Sequence, residues 1–77
     1  SSTVVDVRLI LKAAVLCNAT FMVLVHCHPS GNTNPSIQDD KITDKIKKAA
    51  ETFDIKLMDH VIFSDSNFYS YSDSGRL

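Results

Sequence analysis

The chain has 77 residues, which is one small domain at most, and near that length a single hydrophobic core supplies only a small margin of stability. At 44% apolar and 22% charged, with mean hydropathy near zero, its composition is that of a globular domain and excludes a disordered segment. A net charge of -1, from 8 basic and 9 acidic residues, argues against a surface built chiefly to grip nucleic acid, which carries a clear basic excess.

Asp6 is placed to cap a helix over Val7 to Cys17, with Val7, Ile10, Leu11, Ala14 and Cys17 on one face and Arg8 and Lys12 outside it. Asn18 ends this helix. Phe21 to Val25 is then a short, nearly continuous apolar run, the pattern of a strand buried on both faces in the middle of a sheet. Both prolines and Gly31 fall in the loop from Pro29 to Ser36. Ser36 caps a second helix, with Asp39 three residues on as a near capping box. Ile42, Ile46, Ala49, Ala50 and Phe53 form its apolar face, while Lys41, Lys45 and Lys48 recur on another. Asp54 lies beyond its last turn. Ile55 to Phe63 supplies a second strand, Ser64 to Asn67 a turn, and Phe68 to Ser72 a third strand, with Ser70 to Ser74 read as a fraying tail. The order is helix, strand, loop, helix, hairpin.

Two cysteines are too few for a disulfide framework, and no charged leader with an apolar stretch is visible, so a reduced, cytoplasmic chain is expected. The longest apolar stretch, Ala19 to Val25, falls far short of the roughly 20 residues that span a bilayer. No membrane partner is expected.

His26 and His28 close the first strand, and the period of two puts both imidazoles on one face. Asp39, in the first turn of the next helix, can be folded back beside them by the intervening loop. Two neutral imidazoles and a carboxylate leave a tetrahedral Zn²⁺ one open position for water, whose pKa the ion can lower to about 7. The strand pleat points Cys27 away from this face, which makes it a bystander. His60 follows Asp59 on a strand where neighbours face opposite sides, so a supporting role is expected for it and not ligation.

The string His26-Cys27-His28-Pro29-Ser30-Gly31-Asn32-Thr33-Asn34-Pro35-Ser36-Ile37-Gln38-Asp39 resembles the signature H-x-H-P-S-G-x-x-x-P-S-x-x-D of the RadC-like branch of the JAB/MPN superfamily. The opening Thr3 to Arg8 and the later Leu57-Met58-Asp59-His60-Val61-Ile62 also look RadC-like. The resemblance implies an α/β (α+β) sandwich of the JAB/MPN, cytidine-deaminase-like kind over residues 1–77, a JAMM motif with His26, His28 and Asp39 as Zn²⁺ ligands, and Ser36 assisting by hydrogen bonding. It implies a metallopeptidase-type hydrolase acting on a peptide or protein substrate, in a family linked by name to DNA repair.

JAMM metallopeptidases also use a glutamate on a strand ahead of the first helix, and the only glutamate here is Glu51, on the fourth turn of the second helix. A base must come within about 3 Å of the proton it abstracts, directly or through one water. The expectation is a domain lacking its N-terminal strand or strands, able to hold metal but hydrolysing poorly. A competing expectation is a non-catalytic metal-binding or protein-interaction module in genome maintenance. A third is DNA binding through the lysine face of the second helix, although Asp39, Asp40, Asp44 and Glu51 interleave with Lys41, Lys45, Lys47 and Lys48. An incomplete sheet would also leave an edge strand able to pair with another chain.

Overall fold

Residues 6–77 are described by a computed structural model; Thr3, Val4 and Val5 of the family-like opening lie outside the described residues. Helix α1 spans Val7–Leu16, with the Asp6 carboxylate accepting from the Arg8 N–H at 3.0 Å. Asn18 then adopts φ 55°, the left-handed conformation that Asn tolerates just past a helix end. Strand β1 is Phe21–Cys27, helix α2 Ile37–Thr52, strand β2 Lys56–Phe63 and strand β3 Phe68–Ser70. Asp54, at φ 58°, marks the end of α2 as Asn18 does that of α1. The predicted order holds, with the third strand two residues shorter than the sequence suggests. Among the described residues no helix is long and apolar enough to cross a membrane.

The sheet order is β1-β2-β3. β1 and β2 run parallel, so the chain must cross over between them, and α2 is that crossover. β2 and β3 form an antiparallel hairpin closed between Ser64 and Asn67. Ile46 and Ala50 of α2 meet Leu57 and Ile62 of β2 in a core completed by Ile55 and Tyr71, all fully buried or nearly so. The architecture is therefore a small mixed α/β layer pair, with α2 against the sheet and α1 leaning on α2 without a fully buried residue.

Three local expectations are corrected. Among the described residues β1 is an edge strand and not a central one, because only β2 pairs with it there. Its burial alternates: Met22, Leu24 and His26 are half-buried, whereas Phe21 and Val25 are 63% and 67% exposed. An apolar run reports that a strand suits two covered faces, but not that both are covered. Phe53, assigned to the apolar face of α2, is exposed at the helix end. The segment Ser70 to Ser74 is not a fraying tail, since Ser70 and Tyr71 are buried. Asp59 clamps it: one carboxylate oxygen accepts from the Ser70 hydroxyl, the other from the Ser72 N–H at 2.9 Å.

Phe21, Val23 and Val25 share the open sheet face with Phe63 and Phe68, and the β1 edge carries no Pro, Gly or charged residue to blunt it. Edges of that kind are templates for pairing. Val25→Lys is accordingly expected to reduce concentration-dependent self-association in light scattering without lowering the melting temperature.

Candidate metal centre

Strand period and helix capping bring the three predicted ligands together. His26 sits on the half-buried face of β1, and His28 follows the strand end, held there by its N–H donating to the Phe63 carbonyl at 2.8 Å. Asp39 is fixed by a complete capping box: its N–H donates to Ser36 Oγ at 3.0 Å and its Oδ2 accepts from the Ser36 N–H at 2.8 Å. Gly31, at φ 88°, takes a backbone conformation that side chains strain to adopt, and its N–H closes the turn onto the His28 carbonyl.

The result is a convergence of donors. His26 Nδ1 lies 3.1 Å from Asp39 Oδ1, and His28 Nε2 lies 3.3 Å from Asp39 Oδ2. One ligand atom from each of the three residues falls within 4.8 Å of the others. His28 Nδ1 lies 2.8 Å from the Asn32 carbonyl, which can only accept, so Nδ1 carries the ring proton. In the neutral ring Nε2 then presents a lone pair to a carboxylate. Lone pairs facing one another at such distances are stabilised by a cation between them, and an imidazole held by a backbone carbonyl is the usual support of a metal-ligating histidine. The donor set, two nitrogens and one carboxylate oxygen, fits Zn²⁺.

Burial opposes ionisation of Asp39, but the Ser36 hydrogen bonds and the two adjacent imidazoles outweigh it, and the carboxyl is held below the ordinary 3.8. The Asp59 carboxyl is lowered too, its bonds from Ser70, Ser72 and His60 prevailing over desolvation. Burial pushes the His60 imidazole below 6.5, with His26 and His28 adding to the effect against Asp39 and Asp59. Linkage gives these groups one sign. The unfolded chain takes up a proton on His60 below about 6.5, where the folded chain resists it. The lowered carboxyls contribute stability above 3.8 that is lost as pH falls through their folded values. The melting temperature is expected to be level from pH 7 to 8, to fall below pH 6.5, and to fall again below pH 4; a rise on acidification would contradict these assignments.

Beside His26 and Asp39 is a cavity of about 350 Å³, with Ile10, Leu24 and Ile42 as apolar wall and His26, Asp39 and His60 at its polar end; Cys27 also lines it and His28 does not. Cys27 is exposed, and Cys17 is exposed at the end of α1. Glu51 is not in this cavity; it lines a separate surface hollow with Lys47 and Lys56. Lys48 pairs with Asp44 at 2.9 Å, so the lysine face is partly neutralised by its own helix.

Ser36 is exposed at the mouth of α2. Its Oγ accepts from Asp39, which leaves its own O–H proton free to be donated outward. Ser36→Ala should cost about 1 kcal/mol in urea denaturation, with Ser36→Thr restoring most of it. Sequence reasoning missed the Asn32 carbonyl, a backbone group with no residue signature, and Thr43, which the helical spacing i, i+4 from Asp39 places on the same face of α2.

The family model for RadC-like JAB domains matches residues 1–76. A UPF0758 protein of Flavobacterium johnsoniae is 47% identical over 75 residues, covering 97% of this chain and 33% of its own length. Another from Haemophilus influenzae is 46% identical over 67 residues, covering 87% and 30%, and one from Chlorobium chlorochromatii is 40% identical over all 77, covering 35% of its own length. The chain spans about a third of the length of the curated relatives it matches.

Proposed function

Since this chain belongs to the RadC-like JAB domain family, we propose that it carries the metal site of a zinc-dependent hydrolase of the metallopeptidase type, acting on amide or isopeptide bonds. The observation that carries the reading is the convergence of His26, His28 and Asp39 with the His28 tautomer fixed so that Nε2 faces the carboxylate. These three residues would hold the ion. When bound, zinc supplies Lewis acidity at the polar end of the cavity.

The chain's own residues do the rest. Asn32 and Phe63 orient His28 through its ring and its backbone. Ser36 fixes Asp39 and offers its hydroxyl proton to an oxygen that gains charge during amide cleavage. Ile10, Leu24 and Ile42 exclude water from one side of the cavity and so strengthen every charge interaction within it. Among the described residues no second carboxylate lines the cavity, so this chain alone is expected to hydrolyse slowly.

That last observation favours a second reading, in which the domain binds metal without catalysis and serves as an interaction module in genome maintenance. The two are separated by assaying a full-length relative beside this chain on amide and isopeptide substrates, each with its metal stripped and zinc restored. Zinc-restored cleavage that disappears in the His28→Ala variant supports the hydrolase. Zinc uptake without cleavage in either protein supports the module.

A further inference from the structure

We propose that His60 is a positioning residue for the metal centre, a cross-tie that sets the gap between strand β1 and helix α2 and with it the separation of His26 from Asp39. The inference deepens the hydrolase reading and rests on it for its metal readout alone.

His60 is 3% exposed and touches both elements that carry ligands. Its ring lies nearly parallel to that of His26, with centroids 6.0 Å apart and planes 15° from coplanar. Its other side stacks on Tyr71 at 4.9 Å and 3°. The three rings form a stack that backs His26 against the buried side of the sheet. Tyr71 is itself held, its hydroxyl donating to Asp40 Oδ1 at 2.7 Å.

The tie to α2 runs through Thr43. Thr43 Oγ1 lies 2.7 Å from the Asp39 carbonyl and 2.6 Å from His60 Nδ1. A hydroxyl has one proton, and the carbonyl can only accept, so that proton goes to Asp39. A second contact of 2.6 Å then requires the ring to donate, which fixes His60 as the Nδ1–H tautomer. The chain His60 Nδ1–H to Thr43 Oγ1–H to the Asp39 carbonyl is thus directional and complete. Asp39 is gripped at its N–H and Oδ2 by Ser36 and at its carbonyl by Thr43, and His60 locks the Thr43 rotamer. The neighbouring Asp59 pins the backbone of His60 from the open face, its carboxylate accepting the His60 N–H at 2.7 Å. Asp59 and His60 therefore work on opposite sides of β2: one fixes the turn that seats Tyr71, and the other uses that ring as a backstop.

Four single variants and one double variant separate positioning from simple packing. His60→Phe keeps an aromatic ring but removes the donor, His60→Asn keeps a donor where Nδ1 stood, and Thr43→Val removes the link itself. Zinc affinity, read by competition against a cobalt-loaded protein, should fall 10–100-fold in His60→Phe and Thr43→Val, the range expected for groups that orient a metal ligand. The His60→Phe, Thr43→Val double variant should be no weaker than either alone, because both break one chain. His60→Asn and Thr43→Ser should keep most of the affinity. Wild-type affinity in folded His60→Phe or Thr43→Val, or additive losses in the double variant, overturns the proposal. If His60→Phe does not fold, the Thr43→Val and Thr43→Ser pair decides the matter.

A second readout needs no metal. Nitrogen-15 spectra of the ring should show a protonated Nδ1 and an unprotonated Nε2 in His60, and Thr43→Val should shift the His26 ring and Asp39 amide resonances. An Nε2–H tautomer overturns the cross-tie. A wild-type chain that takes up no zinc overturns the hydrolase reading instead, and the tautomer and the Thr43→Val shifts then decide the cross-tie by themselves.

Discussion

Replacing Asp39 by Ala is expected to lower zinc affinity by more than the 10–100-fold typical of supporting residues, and also to destabilise the metal-free chain by about 1 kcal/mol. Both effects come from one side chain. Asp39 Oδ1 faces His26, while Oδ2 closes the capping box on Ser36. Asp39→Asn separates them, because an amide oxygen can still accept the Ser36 N–H but carries no charge for a cation. Urea denaturation of the two metal-free variants should find Asn near wild type and Ala below it, while zinc titration should find both severely weakened. If Asn binds zinc as wild type does, Asp39 is a cap and not a ligand.

The largest stability losses are expected at Ile46 and Ile62, both 0% exposed, where α2 meets the middle strand. Truncating a buried isoleucine to alanine costs about 2–5 kcal/mol through lost transfer energy and the cavity left behind. A 77-residue domain at roughly 0.05–0.15 kcal/mol per residue has only about 4–12 kcal/mol in total. Ile46→Ala or Ile62→Ala should therefore remove a large share of that stability, seen as a markedly lowered midpoint in denaturant titration. Leu16→Ala, at a site 71% exposed, should stay within about 0.5 kcal/mol. Equal losses at Leu16 and Ile46 would mean that α1 is packed more deeply than this fold has it.

What could be read from sequence was local or periodic. The Ser36 and Asp39 capping box, the helix ends at Asn18 and Asp54, and the shared face of His26 and His28 follow from spacings of three, one and two residues. What could not be read depends on partners distant in the chain. Phe21 to Val25 looks central because both faces are apolar, yet whether a face is covered is decided by which elements reach it. Ser70 to Ser74 has the composition of a loose end, yet Asp59, eleven and thirteen residues before Ser70 and Ser72, holds it in place. His60 reads from sequence as a supporting residue in expectation only, and its tie to Thr43 spans seventeen residues and needs the parallel β1-α2-β2 crossover to exist. The convergence of His26, His28 and Asp39 was legible through motif and period, whereas the tautomer of His28 depends on a backbone carbonyl that no residue pattern reports.

X-ray absorption at the zinc edge, on the chain loaded with one equivalent of zinc, tests the ligand set most directly. The account predicts two imidazole nitrogens at about 2.0–2.1 Å with one carboxylate oxygen at about 2.0–2.2 Å, and loss of the bound zinc in His28→Ala. A sulfur at about 2.3 Å, which would place Cys27 or Cys17 on the ion, or zinc retained equally by His28→Ala, would contradict it.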